Sequence, residues 1–235
     1  MLNLTRLGRG EPGIFCSIQG EGVNSGITAV FLRLAFCNLK CSWCDTKYSW
    51  DWQHYDQRKE VVMLTSRETI KRLQALSGRH LVVTGGEPLI QQKVLSGLLS
   101  SLKRQGYYVE VETNGTIVPA NDLVSSVDQW NVSPKLGSSG NPQSAREVPE
   151  AYNVFMHLSS SSFKYVIQTE SDLNEVQRLV DRYRIDENRI VLMPEASDRE
   201  TLLQRGRWLV EACKDKGYRF STRLQILLWG NRRGK

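Results

Sequence analysis

Cys37, Cys41 and Cys44 stand at C-x3-C-x2-C spacing within Cys37-Asn38-Leu39-Lys40-Cys41-Ser42-Trp43-Cys44-Asp45-Thr46. Such spacing lets one loop turn three sulfurs towards one centre. Iron–sulfur clusters are held by cysteine thiolates, normally four for a cubane. Three thiolates leave one iron of a [4Fe–4S] cluster without a protein ligand, and an open metal position can do chemistry. A structural zinc site needs four ligands, usually with a second Cys or His pair. Cys16 and Cys213 are isolated here, as are His54, His80 and His157. Five cysteines, an odd number, make a poor disulfide framework in a chain of 235 residues.

Three further places carry candidate chemistry. Ser17-Ile18-Gln19-Gly20-Glu21-Gly22 is either a plain turn or a loop whose glycine lets backbone approach a ligand, with Gln19 and Glu21 flanking it. Arg33 interrupts an apolar run, and a charge there is costly unless paired, so it should reach a ligand or a carboxylate. Thr46 lies two residues past the last cysteine. Read by itself, its hydroxyl is a loop cap.

The elements that position these residues alternate. A buried strand over residues 28–36 delivers the chain into the cysteine loop. The aromatic segment 48–55, with Trp50 and Trp52, either covers the cysteines or lies on the surface. Thr65 and Glu68 have capping-box spacing and open a helix to about residue 76. A strand over 80–84 ends in Gly85-Gly86-Glu87-Pro88, and a helix over 89–104 stops at Gly106. Strands over 107–112 and 128–132 end in Thr113-Asn114-Gly115 and Ser133-Pro134-Lys135. Strands over 163–167 and 189–193 precede helices over 172–183 and 198–216, and a last apolar strand covers 219–228. Residues 136–162 form a Ser/Pro/Gly-rich insertion without a predicted element, its serine run 159–162 reading as loop.

This alternation predicts an α/β fold with a mostly parallel sheet. Six or seven strand–helix units predict an incomplete TIM-type barrel over a single domain, residues 1–235, with the site at the C-terminal strand ends. The composition is ordinary for a globular chain, 40% hydrophobic and 24% charged. No apolar signal core, no membrane-length apolar run and unpaired cysteines together predict a reducing cytoplasm. The net charge of +6 is scattered, with no nucleic-acid-binding signature, so anionic small molecules are the expected partners rather than nucleic acid or membrane.

The cysteine spacing with Trp43 before the last cysteine, and Thr84-Gly85-Gly86-Glu87-Pro88 after a strand, resemble the radical S-adenosylmethionine (SAM) superfamily. Gln19-Gly20-Glu21-Gly22, Phe31-Leu32-Arg33-Leu34, Cys44-Asp45-Thr46, Glu112-Thr113-Asn114-Gly115-Thr116 and Ser133-Pro134-Lys135 resemble the 7-carboxy-7-deazaguanine synthase family, from about Ile14 to Gly230. The resemblance implies a lyase-type ring contraction. Hydrogen would be abstracted from 6-carboxy-5,6,7,8-tetrahydropterin and ammonia lost, in queuosine and related 7-deazapurine biosynthesis.

It implies a [4Fe–4S] cluster on Cys37, Cys41 and Cys44, SAM contacts at Trp43, Gly85, Gly86, Glu87, Ser133, Pro134 and Lys135, and Mg2+ on Thr46. Substrate contacts would come from Ile18, Gln19, Gly20, Glu21, Arg33 and Thr84, and more remotely from Glu112, Asn114, Gln168 and Gln225. A carboxylate such as Glu21 suits the paired N–H donors of a pterin edge, and Arg33 suits a bidentate grip on a carboxylate. An electron donor such as flavodoxin or ferredoxin and a homodimer are also implied. The chain departs from the family at Gln225, where many members carry His. Cys16 and Cys213 match no family ligand and read as buried thiols. The rival readings are a glycyl-radical activase and a non-catalytic iron–sulfur module.

Overall fold

Nearly continuous apolar segments make strands buried on both faces, as parallel sheets covered by helices require. The computed structural model describes residues 1–8 and 10–235. Among these, ten strands form one sheet: β1 Leu2–Thr5, β2 Ile14–Ile18, β3 Thr28–Leu34, β4 Val61–Leu64, β5 His80–Gly85, β6 Tyr108–Thr113, β7 Gln129–Val132, β8 Ser161–Ile167, β9 Ile190–Pro194 and β10 Arg219–Phe220. From β3 the sheet runs in parallel through β5, β6, β7, β8 and β9 to β10. On the other side of β3, β1 and β2 both pair antiparallel with it, and β4 pairs antiparallel with β1.

Side-chain alternation sorts the two faces. Val30, Leu32 and Leu34 of β3 join the main core under the helices, with Leu81, Val83, Val109 and Val111. Ala29 and Phe31 face inward with Phe15 and Val82, and Phe15 stacks on Phe31 at 5.1 Å between ring centroids. Arg33 continues that inward row, directly above the aromatic pair. The polar residues Glu110 and Glu112 of β6 likewise alternate with Val109 and Val111.

The capping box forms as read: Glu68 N donates to Thr65 Oγ1, and Thr65 N to the Glu68 carboxylate at 2.8 Å, opening the helix Ser66–Gln74. Several expectations need correcting. The stretch from Ser17 to Gly22, read as turn or loop, begins with the end of β2, which is paired along its length with β3. The last apolar run is not a strand over 219–228: β10 has two residues, and Leu224–Trp229 is a helix. A short apolar run does not separate the two by periodicity alone. The insertion 136–162 is structured, with helices Gln143–Arg146 and Pro149–His157, and Ser161 and Ser162 open β8 rather than lying in a loop. Cys213 is buried, but Cys16 is exposed. No helix among the described residues is long and apolar enough to cross a membrane.

Candidate active site

The C-terminal ends of the parallel strands surround a cavity of about 220 Å³. It collects Ile18, Gln19, Gly20, Glu21, Arg33, Cys37, Cys41, Trp43, Cys44, Thr46, Thr84, Gly85, Gly86, Glu112, Asn114, Ser133, Lys135 and Gln225 in its lining. Glu87, Pro134 and Gln168 are not part of that lining. Lining residues to which the sequence reading gave no role include Asp45, Lys164, Glu195 and Arg223, and Trp50 of the aromatic segment 48–55 lines the cavity too.

The cysteine loop leaves β3 through Phe36, whose φ of 73° turns the chain in the left-handed region. The glycines after β5 are required by that turn. A Cβ at Gly85 would stand 2.1 Å from Leu34 O, and one at Gly86 1.9 Å from Phe36 O. In return Gly86 N donates to Leu34 O at 3.0 Å and Glu87 N to Phe36 O at 2.7 Å. Glu87 is fully buried, and its carboxylate accepts from Leu89 N, Thr113 Oγ1 and Asn114 N at 2.7–3.0 Å. Burial still raises its pKa. Its side chain latches β5 to β6 and faces away from the cavity.

The three thiols are free. Burial pushes the Cys37 thiol up to about 12 and raises that of Cys41, so both stay protonated unless cations stand beside them. Iron would invert that balance. Among the described residues, no three His, Cys, Asp or Glu side chains converge on one metal-ion position. A cubane asks instead for one thiolate at each of three separated irons. N–H donors already face the sulfurs: Trp50 Nε1 to Cys44 and Asn141 Nδ2 to Cys41 at 3.3 Å each, and Leu39 N to Cys37 at 3.5 Å. Thr46 precedes the short turn Lys47–Ser49 without capping it, and its Oγ1 lies 3.5 Å from Cys44 Sγ.

Opposite the cysteines, Glu21 receives Lys164 Nζ at 2.6 Å, Arg223 Nε at 3.0 Å and Gln225 Nε2 at 2.6 Å. Burial alone would raise its pKa, but Lys164 and Arg223 hold it well below the usual carboxylate range. Burial opposes the charge of Lys164, and Glu21 and Glu112 more than restore it. Arg223 also donates to Asp45, tying the loop of the third cysteine to Glu21. Glu112 accepts from Thr84 Oγ1 at 2.6 Å and Gln19 Nε2 at 3.2 Å.

Four buried polar atoms of the lining residues have no partner: Arg33 Nε, Trp43 Nε1, Ser49 Oγ and Gln225 Oε1. Arg33 joins no ion pair among the described residues, although the charges of Asp45, Glu112 and Glu21 act on it. Buried polar groups are normally satisfied, so unused ones on a cavity wall mark where a polar ligand fits. Lys135 bonds Ser133 through its O and Oγ at 2.6 and 2.9 Å, with its ammonium over the Trp43 ring at 5.9 Å.

Residues 32–135 match the family model of the radical SAM superfamily. The chain is 41% identical to the 7-carboxy-7-deazaguanine synthase of Pyrobaculum aerophilum, covering 94% of this chain and 95% of that one. It is 34% identical to the protein of the same name from Rhodopirellula baltica, over 94% and 86% of the two chains. Among solved structures, QueE from Escherichia coli superimposes with a TM-score of 0.71 at 26% identity, over 94% and 93% of the chains. SuiB of Streptococcus suis shares the fold at a TM-score of 0.56 and 12% identity.

Proposed function

The chain belongs to the 7-carboxy-7-deazaguanine synthase family of radical SAM enzymes, and we propose that its cavity binds 6-carboxy-5,6,7,8-tetrahydropterin beside SAM and converts it to 7-carboxy-7-deazaguanine with release of ammonia. In this reading Cys37, Cys41 and Cys44 hold the [4Fe–4S] cluster. Three free thiols on one loop, with N–H donors already facing them, support that fit. When bound, the cluster and SAM supply hydrogen-atom abstraction, chemistry that no side chain offers.

The chain's residues bind, orient and shield. Gly85, Gly86, Ser133 and Lys135 form the wall proposed for SAM, with the Trp43 N–H unused beside them. Glu87 serves the same wall indirectly, by latching the ends of β5 and β6. Arg33 is the proposed partner of the substrate carboxylate, and its unpartnered Nε, with no ion pair to it among the described residues, is the observation that carries the substrate reading. Glu21, held ionised by Lys164 and Arg223, faces the paired N–H donors of the pterin, with Gln19, Gly20, Ile18, Thr84 and Glu112 around it. Gln225 offers its free Oε1 to a further donor.

Thr46 is proposed as the protein ligand of Mg2+. Its hydroxyl caps nothing, and Mg2+ commonly keeps waters and few protein contacts. The charge and composition suit a cytoplasmic, single-domain enzyme. It would draw electrons from a flavodoxin or ferredoxin, act as a homodimer, and feed queuosine and related deazapurine pathways.

The test is anaerobic. Protein reconstituted with iron and sulfide, given the pterin, SAM, Mg2+ and dithionite, should form the deazaguanine product with ammonia and 5′-deoxyadenosine. Release of 5′-deoxyadenosine with the pterin untouched would overturn the substrate, though not the family.

A further inference from the structure

All three cysteine sulfurs receive a side-chain N–H from segments outside the cysteine loop, that on Cys37 from Asn114 Nδ2 at 3.9 Å being the longest. Trp50 Nε1 lies 3.3 Å from Cys44 Sγ, and Asn141 Nδ2 lies 3.3 Å from Cys41 Sγ. We propose that Trp50 and Asn141 tune the cluster: their N–H groups stabilise its reduced form and raise its reduction potential. The proposal rests on the reading of Cys37, Cys41 and Cys44 as cluster ligands.

The direction of both bonds is fixed. An indole nitrogen only donates. Asn141 Oδ1 accepts from Lys40 N at 2.9 Å, so its amide nitrogen must face the sulfur. Both donors are held in place. Trp50 N donates to Lys47 O at 3.0 Å in the turn after the cysteines. Asn141 N and Nδ2 reach Ser139 Oγ at 3.3 and 3.1 Å, and Arg146 Nε donates to Asn141 O at 3.2 Å. Arg146 is itself anchored to Glu175 at 2.5 Å. The insertion 136–162 thus reaches the cluster loop through Asn141 and through Ser139 O, which accepts from Ser42 N at 3.0 Å.

Reduction adds one electron to the cluster and releases nothing. The added charge spreads over the thiolate sulfurs and strengthens any N–H pointing at them, as bonds to charged acceptors are stronger. Hydrogen bonds to the sulfurs are one of the levers that set cluster potentials. A donor that stabilises the reduced form more than the oxidised one raises the potential; removing it lowers it.

The experiment is an EPR-monitored redox titration of anaerobically reconstituted protein. In Trp50→Phe the ratio of reduced to oxidised cluster at a fixed potential should fall by up to about tenfold, which for one electron is about 59 mV. Pulsed EPR should lose one exchangeable-proton coupling. Trp52→Phe alters a neighbouring ring that packs on Phe36 rather than on a thiol, and should keep the wild-type midpoint. If Trp50→Phe fails to load a cluster, Asn141→Leu decides the same question at Cys41. A wild-type midpoint in a fully loaded variant overturns the proposal and leaves the ligand assignment standing. Absence of a [4Fe–4S] signal from wild-type protein, or its persistence in Cys41→Ala, instead overturns the ligand assignment.

Discussion

Lys164 places its Nζ 2.6 Å from Glu21 Oε2, joining the middle of β8 to the loop after β2 inside the barrel. Glu21 has its pKa depressed, so its contribution to stability is complete above the ordinary carboxylate value of about 4.3 and is lost as pH falls towards the folded value. Lys164 is raised, so its contribution is complete below the ordinary lysine value of about 10.4 and lost as pH rises past it. The pair is therefore fully effective between those limits. Urea unfolding of apoprotein from pH 3 to 7 should show stability falling below about pH 4.3, with a shallower fall in Glu21→Gln. At pH 7 the variant should lose up to about 3 kcal/mol, because buried Lys164 is left with only Glu112, at 3.9 Å. An acid slope as steep in Glu21→Gln as in wild type would remove Glu21 from this account.

Arg33 has no such partner, and that absence separates function from stability. Arg33→Lys keeps the charge and loses the planar fork, so pterin binding should weaken roughly tenfold to a hundredfold, at about 1.5–3 kcal/mol for a charged hydrogen bond. SAM binding should stay as it is. Arg33→Met removes a buried cation that joins no ion pair but that the charges of Asp45, Glu112 and Glu21 favour, so apoprotein stability should fall by no more than about 1 kcal/mol. Calorimetry with each ligand and a thermal melt read the three effects apart. A large loss of stability in Arg33→Met would make Arg33 a structural residue.

The cysteine loop, the glycine turn and the order of strands were legible because each is local: a spacing, a dipeptide, an apolar run. Arg33 stood out as one charge in an apolar strand. Lys164 carries the same signature within Ser161–Ile167, and that signal would have found it. Arg223 gave none, since its meaning lies in Glu21, 202 positions away, and in Asp45. Asn141 was hidden for the same reason, being defined by a sulfur on another segment, whereas Trp50 stood in the aromatic segment that could cover the cysteines. The glycines of Gly85-Gly86 were legible as close approach, but what approaches is the backbone of Leu34 and Phe36.

Thr46 makes a prediction about coupled binding. A hydroxyl is a weak neutral ligand, so Mg2+ should bind well only when a substrate carboxylate completes its shell. Mg2+ and pterin should then raise each other's affinity by one common factor. Thr46→Ala should abolish that factor without lowering iron content, and Thr46→Ser should keep most of it. The measurement is pterin affinity with and without Mg2+, under anaerobic conditions, in the three proteins. Equal Mg2+ dependence in Thr46→Ala and wild type would sink the metal role.

Gly20 and Gln225 should fail as a unit. A Cβ on Gly20 would stand 1.9 Å from Gln225 Oε1 and 2.9 Å from its Cδ. The amide, at the end of a flexible side chain, is what must move, and moving it breaks the 2.6 Å bond from Nε2 to Glu21. Gly20→Ala therefore removes the same contact as Gln225→Ala, by pushing instead of deleting. Each single variant should weaken pterin binding. In a Gln225→Ala background the added Cβ meets only the backbone N of residue 225, at 3.2 Å, so Gly20→Ala should have a much smaller further effect. The four proteins form a double-mutant cycle, read as pterin affinity, with an expected interaction energy of about 0.5–3 kcal/mol for residues in contact. Additive losses would show that Gly20 is required by the pterin itself and not by Gln225.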